Sequence, residues 1–191
     1  MKTRMIIAAT AAMILGMSGC AGGKEPAPGQ CVISGTSAPK WACGIEKSEG
    51  RVVAVGSAEM TKAGHEFTRR TALASARSNL AQQIETLIKD KVETFTRATG
   101  VGKGSMIDNV STQVSKQVAK VTLRGSEQIN YWQHPDDEAI FVLVGIDKNA
   151  VMTEAKKNVI SSFKRDDALW QQFQAKNALE ELEKEFATGG E

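Results

Sequence analysis

From Thr61 to Thr99 the chain contains no proline and only one glycine, Gly64. Within that stretch Leu73, Ala76, Leu80, Ile84, Leu87 and Phe95 recur at spacings of three, four and eight. Arg69, Arg70, Arg77, Gln82, Gln83, Glu85 and Lys89 fill other positions. Residues three and four apart share one side of a helix, so this pattern predicts a long amphipathic helix with one apolar stripe. A helix of that length needs partners along its whole stripe, which limits the architectures open to the chain.

The flanking segments supply those partners. Val52, Val53, Ala54 and Val55 form an apolar run ended by Gly56, and predict a first strand over Arg51 to Ala58. Gly100-Val101-Gly102-Lys103-Gly104 ends the long helix. Ser105 is then in place to cap a second helix, with Ile107, Val110, Val114, Val118 and Val121 on one side. Leu123 to Gln133 reads as a strand interrupted near Arg124-Gly125, and His134-Pro135-Asp136-Asp137 as a solvated turn. Ala139 to Gly145 is the most apolar run and predicts the central strand. Helices follow over about Asn149 to Phe163 and Asp166 to Phe186. The order β-α-α-β-β-α-α predicts an α+β fold, a small three-stranded sheet with helices packed on one face.

The N-terminus has a different character. Lys2 and Arg4 precede an apolar run from Met5 to Met17, and Ser18-Gly19-Cys20 closes it. That is a secretory signal, too short at thirteen residues to span a bilayer, which takes about 20. Small residues ending on a cysteine form the bacterial lipoprotein pattern, which makes Cys20 the expected lipidation site. Ala21 follows it, where an inner-membrane retention signal would place Asp, so the outer membrane is expected. Two or more acyl chains hold stably. Residues 1–19 are the signal, and residues 20–50 are the lipidated cysteine with a Gly/Pro tether and an irregular segment. Residues 51–165 form the α+β domain and 166–191 a helical extension.

Charge narrows the partners. The chain has 24 basic and 22 acidic residues; losing Lys2 and Arg4 leaves 22 of each. A balanced chain lacks the cationic excess a nucleic-acid binder uses. Cys31 and Cys43 in an exported protein are expected to form a disulfide. A zinc site needs about four ligands, and His65 and His134 lie in other elements, so no metal is expected.

Catalytic patterns fail on spacing. In Gly100 to Ser105 the glycine Gly104 separates Lys103 from Ser105, and the loop follows a helix rather than a strand, so it is no phosphate loop. No Gly-x-Ser-x-Gly elbow occurs, and no cysteine has a histidine beside it. No cofactor is expected. Tyr131 and Trp132 should face opposite sides of their strand, leaving Trp132 as a candidate contact with a partner. Arg69, Arg70 and Arg77 are the candidates for binding an anionic group. The apolar side of Asp166 to Phe186, with Trp170 and Phe173, is a candidate for self-association.

Pro39-Lys40-Trp41, Val55-Gly56-Ser57-Ala58, the arginine- and alanine-rich helix from Arg69 to Ala81, Trp132 and Phe141-Val142-Leu143-Val144 resemble the lipoprotein-twenty type of small outer-membrane lipoprotein. The resemblance covers roughly residues 39–147; the helical segment beyond Phe163 lies outside it. That family includes the lipoprotein of the flagellar basal disk. The resemblance implies a lipid-anchored α+β envelope protein without known catalysis. The first expectation is therefore a non-enzymatic outer-membrane lipoprotein with an assembly or envelope-integrity role, facing the periplasm or the surface. The alternatives are a binding module for peptidoglycan or an envelope protein, and a flagellum-associated lipoprotein.

Overall fold

The computed structural model describes residues 29–46 and 48–187. The signal, Cys20 and most of the tether lie outside the described residues. The chain first makes a small hairpin, β1 (Val32–Ile33) and β2 (Thr36–Ser37), then a 3₁₀ turn at Lys40–Cys43. The main body runs β3 (Arg51–Ala58), α1 (His65–Thr99), α2 (Ser105–Thr122), β4 (Glu127–Gln133), β5 (Ile140–Asp147), α3 (Lys148–Lys164), α4 (Asp167–Ala175) and α5 (Ala178–Glu185). This is the predicted β-α-α-β-β-α-α order with the last helix divided. The sheet is antiparallel, in the order β3-β5-β4, and the most apolar strand is central.

Strand alternation assigns the two faces of the sheet. Ile140, Val142, Val144 and Ile146 of β5 face the helices, in one cluster with Ala54 of β3. Phe141 and Leu143 face the other way, toward Trp41, Ala42 and Cys31 of the N-terminal segment. The helices therefore occupy one face, and the hairpin and 3₁₀ turn roof the opposite one.

At about 1.5 Å per residue α1 is about 52 Å long, while the eight residues of β3 reach only about 26 Å. The half of α1 near β3 packs on the sheet. Contact is closest at Gly56, where an added Cβ would stand 2.0 Å from the Ala76 backbone nitrogen and 2.6 Å from the Ala72 carbonyl oxygen. Only glycine allows that approach, and Ala72 and Ala76 on the helix complete it. The far half of α1 packs against α2 and α5, with Ile88, Val92 and Phe95 fully buried. Gly100, at φ 65°, ends the helix with its N–H on the Thr96 carbonyl.

Several local expectations are corrected. The long helix begins at His65 rather than Thr61, because Gly64 takes φ 88° and the preceding residues form a turn. Ser105 is the first helical residue of α2, and Gly104 holds the cap position without a side-chain bond. The buried side of α2 takes in Ser111, Ser115 and Ala119 and leaves Val121 exposed, since the stripe drifts around the helix. Leu123–Gly125 is a 3₁₀ turn, so the following strand starts at Glu127.

The expected helix over Asp166 to Phe186 breaks at Asn177, which adopts a left-handed φ of 48°. Its apolar side is spent internally: Leu169, Phe173, Leu182 and Phe186 are all buried in the main cluster. Phe173 packs on Phe163 at 5.8 Å between centroids and on Trp170 at 5.2 Å. Lys91 Nζ donates to the Glu185 carbonyl at 2.6 Å, and Lys176 Nζ to the Gly100 carbonyl at 2.7 Å, tying both helices to α1. The self-association surface expected on this segment is thus core, with Trp170 half-buried and Leu179 exposed.

Candidate functional site

The roofed face of the sheet carries the most built feature outside the main core. The β1–β2 hairpin turns through Ser34 and Gly35, both at positive φ, and Ala38 N–H returns to the Cys31 carbonyl. Pro39 then enters the 3₁₀ turn, which Gly44 ends. Cys31 and Cys43 are bonded, with Cα atoms 5.8 Å apart. The staple holds Trp41 down on Leu143, Val53 and Val55.

A second attachment comes from the β4–β5 turn. His134 was expected in a solvated turn but is 1% exposed. Its Nε2 lies 3.1 Å from the Ile33 carbonyl, and since a carbonyl only accepts, Nε2 carries the proton. Its Nδ1 meets the N–H groups of Asp136 and Asp137 at 3.3 Å and lies 3.0 Å from Asp137 Oδ1. Thr36 Oγ1 also donates to Asp136 Oδ2 at 2.9 Å. The ring is buried because the N-terminal hairpin covers it, a contact a hundred residues distant in sequence.

Between this roof and α1 runs an open groove of about 1120 Å³. Its floor is β3 from Arg51 to Val55. One wall is the 3₁₀ turn with Trp41 and Ala42; the other is the polar side of α1, with Asn79, Gln82, Gln83 and Thr86. β3 is an edge strand. Lys148 N–H bonds the Gly50 carbonyl, so antiparallel alternation turns the even residues of β3 toward β5 and the odd residues outward. Two contacts agree with this: Arg51 N–H reaches the Ser48 carbonyl and Asn79 Nδ2 donates to the Val55 carbonyl at 2.8 Å. The Val53 N–H and C=O and the Val55 N–H have no partner among the described residues.

The predicted binding residues are placed differently. Arg70 and Arg77 are exposed and two turns apart on one side of α1. Arg69 lies about 100° around the helix from Arg70 and donates to Gln128 Oε1 at 3.4 Å, on the β4 side. The three do not converge on one site. Trp132 is half-buried on the roofed face, 5.3 Å from the Phe141 ring and edge-on to His134 at 5.5 Å. Tyr131 is exposed on the other side, its hydroxyl 2.8 Å from His65 Nε2. Partial burial holds the Tyr131 phenol above its ordinary pKa, against the nearby Arg69 charge. Among the described residues no three His, Cys, Asp or Glu side chains converge as metal ligands.

The family model for LPP20 lipoprotein matches residues 39–147, from the 3₁₀ turn through the last strand. The chain belongs to the LPP20 lipoprotein family. No curated protein matches it. The LPP20 match takes in all three sheet strands, both long helices and the walls of the groove. It leaves out the hairpin with Cys31 and the helices α3 to α5. Among the described residues no helix is long and apolar enough to cross a membrane.

Nothing in the sequence reading pointed to the groove. It consists of a free strand edge, and which strand lies at an edge depends on pairing partners some ninety residues away. Asn79 was the available signal: a polar residue next to the apolar stripe, within reach of the strand that precedes the helix.

Proposed function

We propose that this protein is a non-enzymatic lipoprotein anchored in the outer membrane through Cys20, with an assembly or envelope-integrity role. Membership of the LPP20 lipoprotein family carries the reading. The short apolar run ending in Ser18-Gly19-Cys20, followed by Ala21, supports the anchor and the membrane. The arrangement of the folded part supports a non-catalytic role. Its well-packed polar groups, His134 above all, serve to fasten segments together.

Intact mass of protein extracted from membranes should show loss of residues 1–19 and a gain of acyl mass. The variant Cys20→Ser should leave the membrane fraction. A mature form beginning elsewhere, or unmodified Cys20, overturns the anchor. A strictly monomeric particle in detergent, with no envelope partner cross-linked in cells, overturns the assembly role. The groove along β3 favours a second reading, a binding module for an envelope protein or for peptidoglycan, which does not exclude the first. Association with the flagellum rests on the family resemblance alone.

A further inference from the structure

We infer that the groove along β3 receives an extended polypeptide segment of a partner protein, which pairs with the free edge of β3 as a fourth strand. This deepens the assembly reading above and rests on it. An unpaired strand edge is a template of alternating donors and acceptors repeating about every 6.8 Å, and the ligand that matches such a row is another extended backbone. The Val53 N–H and C=O and the Val55 N–H supply that row at the floor. Asn79 closes it at one end by taking the Val55 carbonyl.

The walls define the side chains of the guest. A strand beside β3 directs alternate residues to the two faces of the sheet. One set meets Trp41 and Ala42 beside the Val53 and Val55 side chains, an apolar surface. The other set meets Gln82, Gln83 and Thr86, a polar one. The guest is therefore a segment that alternates apolar and polar residues. A second copy of this chain does not suit the place. Its own β3 lies between the same two walls, so the two edges would have to meet across four walls. A glycan lacks the regular row of amides the floor demands.

The opposite edge of the sheet shows that the open edge is specific to this side. β4 carries a register shift between Gln128 and Asn130, and Glu127 at its start. A bulge and a charge are the ordinary devices that block edge pairing. β3 pairs without a break over all eight residues, and its one charge, Arg51, stands at the end of the groove floor and leaves the Val53–Val55 edge uncharged.

The test uses the full mature protein in detergent and a synthetic nine-residue peptide alternating valine and threonine, capped at both ends. Amide exchange at Val53 and Val55 should slow by about tenfold or more at saturating peptide, while α5 is unchanged. The same peptide N-methylated at alternate residues, which removes the pairing donors, should give no slowing. Val53→Pro removes the central donor at a position not bonded to β5 and should weaken peptide binding by about tenfold or more. Should that variant not fold, Thr86→Arg fills the groove from the exposed side of α1 and should weaken binding equally. Neither variant touches Cys20, so acyl mass and membrane retention stay as in the parent. The inference is overturned if neither amide is protected by the peptide, or if the N-methylated peptide protects as well. Protection by chitotetraose in place of the peptide, or protection that rises with protein concentration alone, also overturns it.

Discussion

The two faces of the sheet are held by different means. On the helical face Ile140, Val142, Val144 and Ile146 enter a cluster that runs through all five helices. On the roofed face Phe141 and Leu143 meet a cluster whose buried members number four, Cys31, Trp41, Ala42 and Leu143. The first face is stabilised by packed volume. The second has too little apolar surface for that, and relies on a covalent staple and on hydrogen bonds through His134. The difference teaches where change is tolerated: the helical face fails globally, the roofed face locally.

That contrast can be broken from either side. The largest effect is expected at Gly56→Ala, where the new methyl would meet the α1 backbone rather than a side chain able to move. The cost should exceed about 4 kcal/mol and prevent folding, as read by denaturant titration of the lipid-free chain. Phe163→Ala, a fully buried ring stacked on Phe95 at 6.0 Å, should lower global stability by about 3–5 kcal/mol in the same titration.

On the roofed face the double change Cys31→Ser and Cys43→Ser should cost about 3 kcal/mol by the chain-entropy argument for a loop of this length. Amide exchange should place the loss in residues 31–44, with α1 near its parent rate. Equal loss across α1 would show that the roof and the helical core unfold together. His134→Ala should cost about 1–3 kcal/mol, because it removes the bond to the Ile33 carbonyl and takes from the Asp136 and Asp137 N–H groups their shared acceptor. Exchange of the β1–β2 hairpin should rise with it. Arg77→Ala, exposed on α1, should stay within about 0.5 kcal/mol of the parent and marks the floor of the comparison.

The helical face was the more legible of the two. The apolar run with Gly56 placed the first strand at Arg51 to Ala58, and Gly100 placed the end of α1 at Thr99. These are local signals, a side-chain period and a glycine, and local signals survive folding. The break at Asn177 left no comparable mark, since asparagine is ordinary in a helix as well as at a left-handed position. The roofed face was harder to read, because each of its parts acts at a distance. His134 is buried by residues near Ile33, and Trp132 is covered by Phe141 and His134 rather than left facing outward. The groove depends on β3 being an edge, which the strand's own residues do not reveal.

The disulfide also decides how the molecule bears load. A pull delivered at Gly29 enters the folded part at Cys31 and crosses the sulfur bridge directly to Cys43. Residues 32–42 then lie off the line of force, and with them the hairpin and the Trp41 wall of the groove. With the bridge closed, this stretch spans 5.8 Å between its end Cα atoms under any tension the bond survives. With the bridge open, the same residues stand in series and can extend to about 40 Å, drawing the wall away from β3 as they do. A tug that a closed bridge carries past the groove would, after reduction, dismantle one side of it.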